Sequence, residues 1–141
     1  MSLSFTEKLY DDYYQVMTTG EVLVDEQTEF QHVQIFETKA HGRVMALDEV
    51  VQITERDECG YSEMLSHVPM VEHGAVENVM IVGGGDGAIA EEVLKHDTVK
   101  HVDLCDIDGR VIELCRELFT KVHHGAFDDP RLHLTIADGA T

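Results

Sequence analysis

Three acidic residues follow three predicted strands in the second part of the chain, and glycines surround the first of them. The segment Gly83–Ala88 reads GGGDGA and matches GxGxxA, a pattern that joins a strand to a helix in nucleotide-binding folds. Asp106 comes roughly 20 residues later, near the end of the next predicted strand, and Asp138-Gly139 follows the third. Because ligands of open α/β sheets bind at the carboxyl ends of the strands, we expect these acids to face one crevice and hold an adenosine-bearing molecule.

The type of nucleoside follows from Asp86, which places a negative charge inside the glycine loop. A dinucleotide lays its pyrophosphate on such a loop, and two like unit charges about 4 Å apart repel by roughly 4 kcal/mol at an effective dielectric near 20. NAD and FAD are therefore disfavoured. A sulfonium nucleoside carries positive charge and no phosphate, so Asp86 would attract it. Asp106 is then expected to accept hydrogen bonds from both ribose hydroxyls.

The elements around these residues alternate between strand and helix. The apolar run at Val79–Val82 is typical of a strand covered on both faces. Later segments predict a helix, a strand, a second helix and a third strand, in the order Ala88–Lys95, His101–Ile107, Arg110–Phe119 and Leu132–Ala137. This order is the opening half of a Rossmann-like parallel sheet of the methyltransferase type.

The first part of the chain has a different pattern. Phe5, Leu9 and Tyr13 recur at helical spacing and predict a short first helix. A meander of antiparallel strands is predicted next, followed by a helix over Asp57–Val68 that Pro69 should end. The predicted strands are Glu21–Val24, His32–Glu37, Arg43–Leu47 and Val50–Thr54. We therefore predict an α/β protein with a small β-strand domain and linking helix over 1–73 and a truncated Rossmann-like domain over 74–141.

Composition narrows the classes of partner. Twenty-eight acidic residues against ten Lys and Arg give a formal net charge of −18, which disfavours binding to nucleic acids and anionic membranes and attracts cations such as polyamines.

No apolar run has the length of a membrane span, and no secretory leader pattern opens the chain, so we expect a cytoplasmic protein. Three cysteines without a CxxC pair, and histidines without ligand spacing, predict neither disulfides nor a metal site.

Several separate segments, in order, resemble the spermidine synthase family of polyamine aminopropyltransferases. They cover nearly the whole chain from about Tyr10 onward, and they read GRVMALD, VQITERDE, YSEM, HVP, VGGGDG and DID, at 42–48, 51–58, 61–64, 67–69, 82–87 and 106–108. The resemblance implies transfer of an aminopropyl group from decarboxylated S-adenosylmethionine to putrescine, giving spermidine and methylthioadenosine. It also implies a homodimer or homotetramer, and no cofactor beyond the sulfonium co-substrate.

The same resemblance implies roles for individual residues. Contacts to the donor nucleoside are implied for Gln31, Gln52, Gly83, Gly84, Gly85, Asp86, Asp106, Asp138 and Gly139. Within that set Asp106 binds the ribose, and Asp138-Gly139 lies beside the adenine. Asp86 also anchors the amine of the aminopropyl group, while Tyr61 and Ser62 lie along the amine channel.

The sequence departs from the family pattern at four places. Ser62 replaces the usual His or Gln, and Asp106 replaces a Glu that is longer by one methylene. Glu91 occupies a position that is often Arg. The family's general-base aspartate lies in a motif like DSTDP, which the resemblance places beyond Thr141. We therefore expect an amino-terminal part of a longer enzyme that is inactive by itself.

Two other functions stay open at this point. A methyltransferase that uses S-adenosylmethionine has the same Rossmann-like core, although the strand meander and Asp86 disfavour it. A non-catalytic nucleoside-binding or oligomerisation paralogue is the second. The acceptor amine is also open, since putrescine, cadaverine and agmatine differ little at these positions.

Overall fold

The computed structural model describes residues 3–140, which divide into two compact units, Met1–Asp57 and Glu58–Thr141. The boundary between the units lies before the first long helix, so this helix belongs to the second unit and not to a strand domain over 1–73. Each unit is described by itself.

The first unit begins with an antiparallel hairpin of β1 (Leu3–Tyr10) and β2 (Tyr13–Thr19), so the predicted first helix is wrong. Residues four positions apart lie on one face of a strand as well as of a helix, so the spacing of apolar residues did not distinguish the two. The alternation of buried and exposed residues identifies a strand, because Phe5 and Glu7 are buried while their neighbours are exposed. Phe5 packs on Phe36, with ring centroids 4.9 Å apart.

Four further strands confirm the predicted meander. They are β3 (Val22–Gln27), β4 (His32–Thr38), β5 (Gly42–Leu47) and β6 (Val50–Thr54), and each pairs antiparallel with the next. Strands β4 and β5 lie in the middle of this sheet and supply most of its core. Their fully buried residues include Val33, Ile35, Val44 and Met45.

The second unit opens with α1 (Glu58–His73), which continues through Pro69, so the predicted stop is wrong. A proline inside a helix removes one backbone hydrogen bond, but here it does not end the helix. The end is at Gly74, which has a left-handed φ of 81° and donates its N–H to the Met70 carbonyl at 3.0 Å. Glycine just past a helix is the usual residue for this conformation.

The parallel sheet follows, with strand order β7-β8-β9 as expected for half of a Rossmann-like fold. The strands are β7 (Asn78–Val82), β8 (His101–Asp106) and β9 (Leu132–Ile136). The helices are α2 (Ala88–Leu94), α3 (Gly109–Leu118) and the short α4 (Thr120–His123), and a 3₁₀ turn spans Ala126–Asp128.

One face of this sheet carries the core of the second unit. Ile81, Val102 and Leu104 form a buried cluster with Met70 of α1 and Val93 of α2. The other face is open at β7, because Met80 and Val82 are each 63% exposed. The prediction that β7 is covered on both faces is therefore wrong for this chain.

Candidate functional site

The glycine loop connects β7 to α2 in a tight turn. Gly83 donates its N–H to the Cys105 carbonyl at 2.8 Å, and Gly87 donates to the Gly84 carbonyl at 3.0 Å. Gly87 has a left-handed φ of 81°, and a Cβ there would lie 2.7 Å from the Phe127 ring. The glycines thus allow a turn and a close packing that no larger residue permits.

Asp106 ends β8 and lies directly against this loop. Its Oδ2 accepts a hydrogen bond from the Gly85 N–H at 2.9 Å, and its Oδ1 accepts one from the Asp108 N–H at 2.9 Å. A Cβ on Gly85 would lie 2.9 Å from the Asp106 carboxylate, so only glycine allows this approach. Each carboxylate oxygen retains a second lone pair that could accept a hydrogen bond from a ligand hydroxyl.

Asp86 is the second carboxylate at the loop. Its Oδ1 accepts a hydrogen bond from the Ala88 N–H at 2.8 Å, at the start of α2. Burial raises the pKa of Asp86, and the negative charge of Asp106 adds to that increase. Burial, together with the same two carboxylates, also raises the pKa of the Cys115 thiol on α3. The site therefore concentrates negative charge that a cationic ligand would neutralise.

The loop after β9 comes to the same end of the sheet. Ala137 donates its N–H to the Asp106 carbonyl at 3.0 Å, and a Cβ on Gly139 would lie 2.6 Å from Cγ1 of Val82. The exposed Asp138 accepts a hydrogen bond from the Ala140 N–H at 2.9 Å. The structure thus brings together the ends of β7, β8 and β9, as the topology predicts.

Tyr61 and Ser62 lie side by side on the first turns of α1 but differ in surroundings. Tyr61 is 70% exposed, whereas Ser62 is 1% exposed. The Ser62 hydroxyl lies 2.9 Å from the carbonyl oxygen of Glu58 and 3.0 Å from its Oε2, one turn earlier. In this structure Ser62 is engaged within its own helix, while Tyr61 is accessible to a ligand.

Gln31 and Gln52 lie in the first unit. Gln31 precedes β4 in a turn, where its backbone N–H donates to the Thr28 hydroxyl at 3.1 Å. Gln52 is exposed on β6, and its Nε2 donates to the Val50 carbonyl at 3.2 Å. Their predicted contacts to the nucleoside remain predictions.

Sequence reasoning missed two structural acids near the site. Asp108 is 2% exposed and caps α3, since its side chain accepts from the N–H groups of Arg110 and Val111. An aspartate directly before a helical pattern is the signal that could have identified this cap. Glu92 on α2, which the sequence pattern did not single out, is 3% exposed and forms an ion pair with Lys95 at 2.8 Å.

Among residues 3–140 no group of three or more His, Cys, Asp or Glu side chains is placed to hold a metal ion. No helix in the same range has the length and apolar character needed to cross a membrane.

The fold and the loop geometry define a Rossmann-like domain, of the methyltransferase type, with the carboxylates of Asp86 and Asp106 at the strand ends. The family model described as the spermine/spermidine synthase domain matches residues 58–141, and the model described as the spermidine synthase tetramerisation domain matches residues 4–55. The chain therefore belongs to the spermine/spermidine synthase family.

Individual relatives agree with this assignment. Polyamine aminopropyltransferase of Ruegeria sp. is 48% identical over 135 residues, which is 96% of this chain and 48% of that protein. Polyamine aminopropyltransferase 1 of Pseudomonas aeruginosa is 49% identical over 135 residues, which is 96% of this chain and 47% of that protein. The chain thus spans about half the length of these relatives.

A solved structure of spermidine synthase from Thermotoga maritima has a TM-score of 0.94 and 42% identity to this chain, covering 98% of this chain and 49% of that one. A spermidine synthase in complex with the transition state analogue AdoDATO gives the same TM-score and identity over 98% of this chain and 47% of that one.

Proposed function

We propose that this chain supplies the nucleoside-binding part of a spermidine synthase, which transfers an aminopropyl group from decarboxylated S-adenosylmethionine to putrescine. The observation that supports this proposal is the pair Asp86 and Asp106 at the glycine loop, in a chain of this family. Both carboxylates accept hydrogen bonds from backbone N–H groups, and burial together with the negative charge of Asp106 raises the pKa of Asp86, so that ionisation of Asp86 is costly. A cationic nucleoside would relieve that cost, whereas a pyrophosphate would increase it.

The chemistry assigns different tasks to the two acids. In the reaction, the amine nitrogen of putrescine attacks the aminopropyl carbon next to the sulfonium, the carbon–sulfur bond breaks, and its electron pair stays on sulfur in methylthioadenosine. The attacking nitrogen loses one proton. Asp106 would hold the ribose by accepting from its hydroxyls, and Asp86 would hold the ammonium of the aminopropyl group. Binding both groups fixes the reacting carbon in place before the attack.

The remaining assignments are proposals of the same kind. Gly83, Gly84 and Gly85 would let the nucleoside approach the backbone. Asp138 and Gly139 would lie beside the adenine. Contacts from outside the loop would come from Gln31, Gln52, Tyr61 and Ser62. For Ser62 a substrate contact would require its hydroxyl to turn away from Glu58.

The wider setting is also part of the proposal. We expect a homodimer or homotetramer in the cytoplasm, without a cofactor beyond the sulfonium co-substrate. The match of residues 4–55 to a tetramerisation domain supports the oligomer. The reaction itself is expected of the assembled protein, since the chain spans about half of its relatives.

Isothermal titration calorimetry on this chain tests the binding step. We expect decarboxylated S-adenosylmethionine and methylthioadenosine to bind and NAD to give no heat. The Asp106→Asn variant keeps the size of the side chain and should weaken both ligands. Absence of binding by both nucleosides, with the protein folded by circular dichroism, would contradict the proposal. Methyl transfer from S-adenosylmethionine by the assembled protein would instead favour a methyltransferase.

A further inference from the structure

The buried side of helix α1 offers little apolar surface. Its buried residues are Ser62, Ser66 and Met70, so only one of the three contributes a sizeable apolar side chain. The Ser62 hydroxyl contacts Glu58 of its own helix, and the buried Ser66 hydroxyl has no hydrogen-bond partner within the described part of the chain. Contacts between polar side chains therefore matter more for holding α1 on its neighbour than they would for a helix with an apolar buried face.

Two imidazoles and a carboxylate join α1 to α2 in one array. His67 of α1 lies between the other two side chains: its Nδ1 is 2.8 Å from Nε2 of His96, and its Nε2 is 2.9 Å from Oε2 of Glu92. His96 follows the end of α2, and its ring centroid lies 5.0 Å from that of His67. The Glu92 side chain is 4% exposed. Both ring nitrogens of His67 are thus engaged by groups of α2 and of the segment directly after it.

These contacts specify where the protons lie when both imidazoles are neutral. Glu92 is ion-paired with Lys95, and its carboxylate only accepts hydrogen bonds. A lone pair on His67 Nε2 would face that carboxylate, so Nε2 carries the proton, although the contact is bent and not a linear hydrogen bond. The Nδ1 of neutral His67 then has a lone pair, and Nε2 of His96 must donate to it. Both neutral imidazoles are therefore expected as Nε2–H tautomers.

The array accepts one added proton and not a second. With one added proton, either imidazole is cationic, and the hydrogen bond between His67 Nδ1 and His96 Nε2 persists because one of the two nitrogens keeps a lone pair. With a second proton, both nitrogens carry hydrogen, and two cations would face each other at 2.8 Å. The two protonation steps therefore have opposite consequences for the contact between α1 and α2.

The surrounding charges do not remove this limit. Further charged groups on the neighbouring elements are Glu58 of α1, Glu91 and Lys95 of α2, and Asp97 and Arg131 beyond α2. Lys95 Nζ lies 2.8 Å from Glu92, so the carboxylate in contact with His67 already has one cationic partner. Glu92 can therefore offset one imidazolium but not two.

We propose that His67, His96 and Glu92 form a protonation-sensitive clamp, the histidine clamp, between α1 and α2. The clamp is closed while the imidazole pair holds at most one added proton, and it opens when both imidazoles are cationic. It ties α1, which carries Tyr61, to the helix that follows the loop with Asp86. Histidine titrates between about pH 5 and pH 8, so the clamp responds to pH in that range. The inference concerns this helix contact and does not depend on the proposed reaction.

Nitrogen-15 NMR of the imidazoles tests the closed form. At about pH 8, where both imidazoles are neutral, we expect Nε2–H tautomers for His67 and for His96. An Nδ1–H tautomer at either residue would overturn the proposal, because the array would then lack a donor for one of its two contacts.

Amide hydrogen exchange of α1, corrected for intrinsic exchange rates, tests the opening. Between about pH 7 and pH 5, the protection of these amides in wild type should fall about tenfold as the clamp opens. His96→Gln should abolish this fall, because a side-chain amide does not titrate and can either donate to His67 Nδ1 or accept from it. His73→Gln is the matched control: His73 is exposed at the end of α1, and its variant should keep the wild-type fall.

The outcome of the exchange experiment is decisive in either direction. His67→Gln is a second variant that cannot titrate, and it should also lack the fall in protection. Absence of the fall in wild type, an equal fall in wild type and in both clamp variants, or its loss in His73→Gln would each overturn the proposal. Binding of methylthioadenosine is measured separately, so that failure of the proposed function leaves the result for the clamp unaffected.

Discussion

The second unit contains two pairs of acids that are treated in opposite ways. Glu91 and Glu92 on α2 are paired with cationic groups of the chain itself: Lys95 Nζ lies 2.8 Å from a carboxylate oxygen of each, and His67 Nε2 lies 2.9 Å from Glu92. Burial alone would raise the pKa of Glu92, but the hydrogen bonds and charge of Lys95 outweigh it, and the pKa is lowered.

Asp86 and Asp106 have no cationic side chain among their described contacts. Their hydrogen bonds come from the backbone N–H groups of Gly85, Ala88 and Asp108, and burial raises the pKa of Asp86. The two pairs give a criterion for distinguishing structural acids from candidate ligand-binding acids. Acids whose positive partner is in the chain stabilise the fold, whereas acids that lie close together without one suit a positively charged ligand.

The largest effect is expected for Asp106→Ala. Loss of hydrogen bonds between the ribose and a carboxylate should weaken methylthioadenosine about a hundredfold, since hydrogen bonds to charged groups contribute about 1.5–3 kcal/mol each. Calorimetry measures the change. The melting temperature of the variant must be measured as a control, because Asp106 also accepts hydrogen bonds from the N–H groups of Gly85 and Asp108. An unchanged affinity for methylthioadenosine in a folded variant would show that Asp106 does not contribute to ligand binding.

Glu92→Gln tests the structural pair. We expect a loss of about 2 kcal/mol in the free energy of unfolding at neutral pH, because Lys95 and His67 both lose the buried Glu92 carboxylate as their negative partner. Because the pKa of Glu92 is lowered, the ionised side chain stabilises the fold at pH values above the ordinary pKa of glutamate. This stabilisation is lost as the pH falls through the folded-state pKa. The free energies of unfolding of wild type and variant should therefore become equal at acidic pH. Denaturant unfolding at several pH values measures this, and a constant difference would contradict it.

Asp86→Asn should separate ligand binding from stability. We expect decarboxylated S-adenosylmethionine to weaken about tenfold, or about 1.4 kcal/mol, while methylthioadenosine, which lacks the amine, changes little. The folded-state pKa of Asp86 is raised. Its contribution to the stability of the fold is therefore present at pH values below the ordinary pKa of aspartate and is lost as the pH rises. The variant should thus melt higher than wild type at neutral pH. Equal weakening of both ligands, or a lower melting temperature, would argue against this assignment.

The smallest effect is expected for Lys95→Met. The Lys95 side chain is 49% exposed, so solvent screens its ion pairs, and we expect a loss of about 0.5–1 kcal/mol. The affinity for methylthioadenosine should not change, because Lys95 compensates the structural acids only. Chemical denaturation and calorimetry on the same preparation measure the two quantities, and a change in affinity would blur the distinction between the two pairs.

Much of the fold followed from local pattern. The glycine loop, the alternation of strand and helix after it and the antiparallel meander were predicted near their observed bounds. The errors lie where local pattern has two solutions. The spacing of Phe5, Leu9 and Tyr13 fits a helix and a strand face equally, and Pro69 weakens a helix without having to end it. The resemblance alone supplied Gln31, Gln52, Tyr61 and Ser62 as site residues. It did not indicate that the Ser62 hydroxyl contacts Glu58.

Local sequence is enough to place Asp86 in a glycine turn between an apolar strand and a helix, and Asp106 at the end of the next strand. Both placements follow from the conformational freedom of glycine and from the periodicity of apolar residues. Which acids have a cationic partner depends on the tertiary fold, because Glu92 contacts His67 of another helix, whereas Asp86 lies near the negative charge of Asp106 on another strand. The tertiary fold also leaves the apolar residues Met64, Leu65 and Val68 of α1 between 51% and 65% exposed, since a helical pattern specifies a face but not what packs against it.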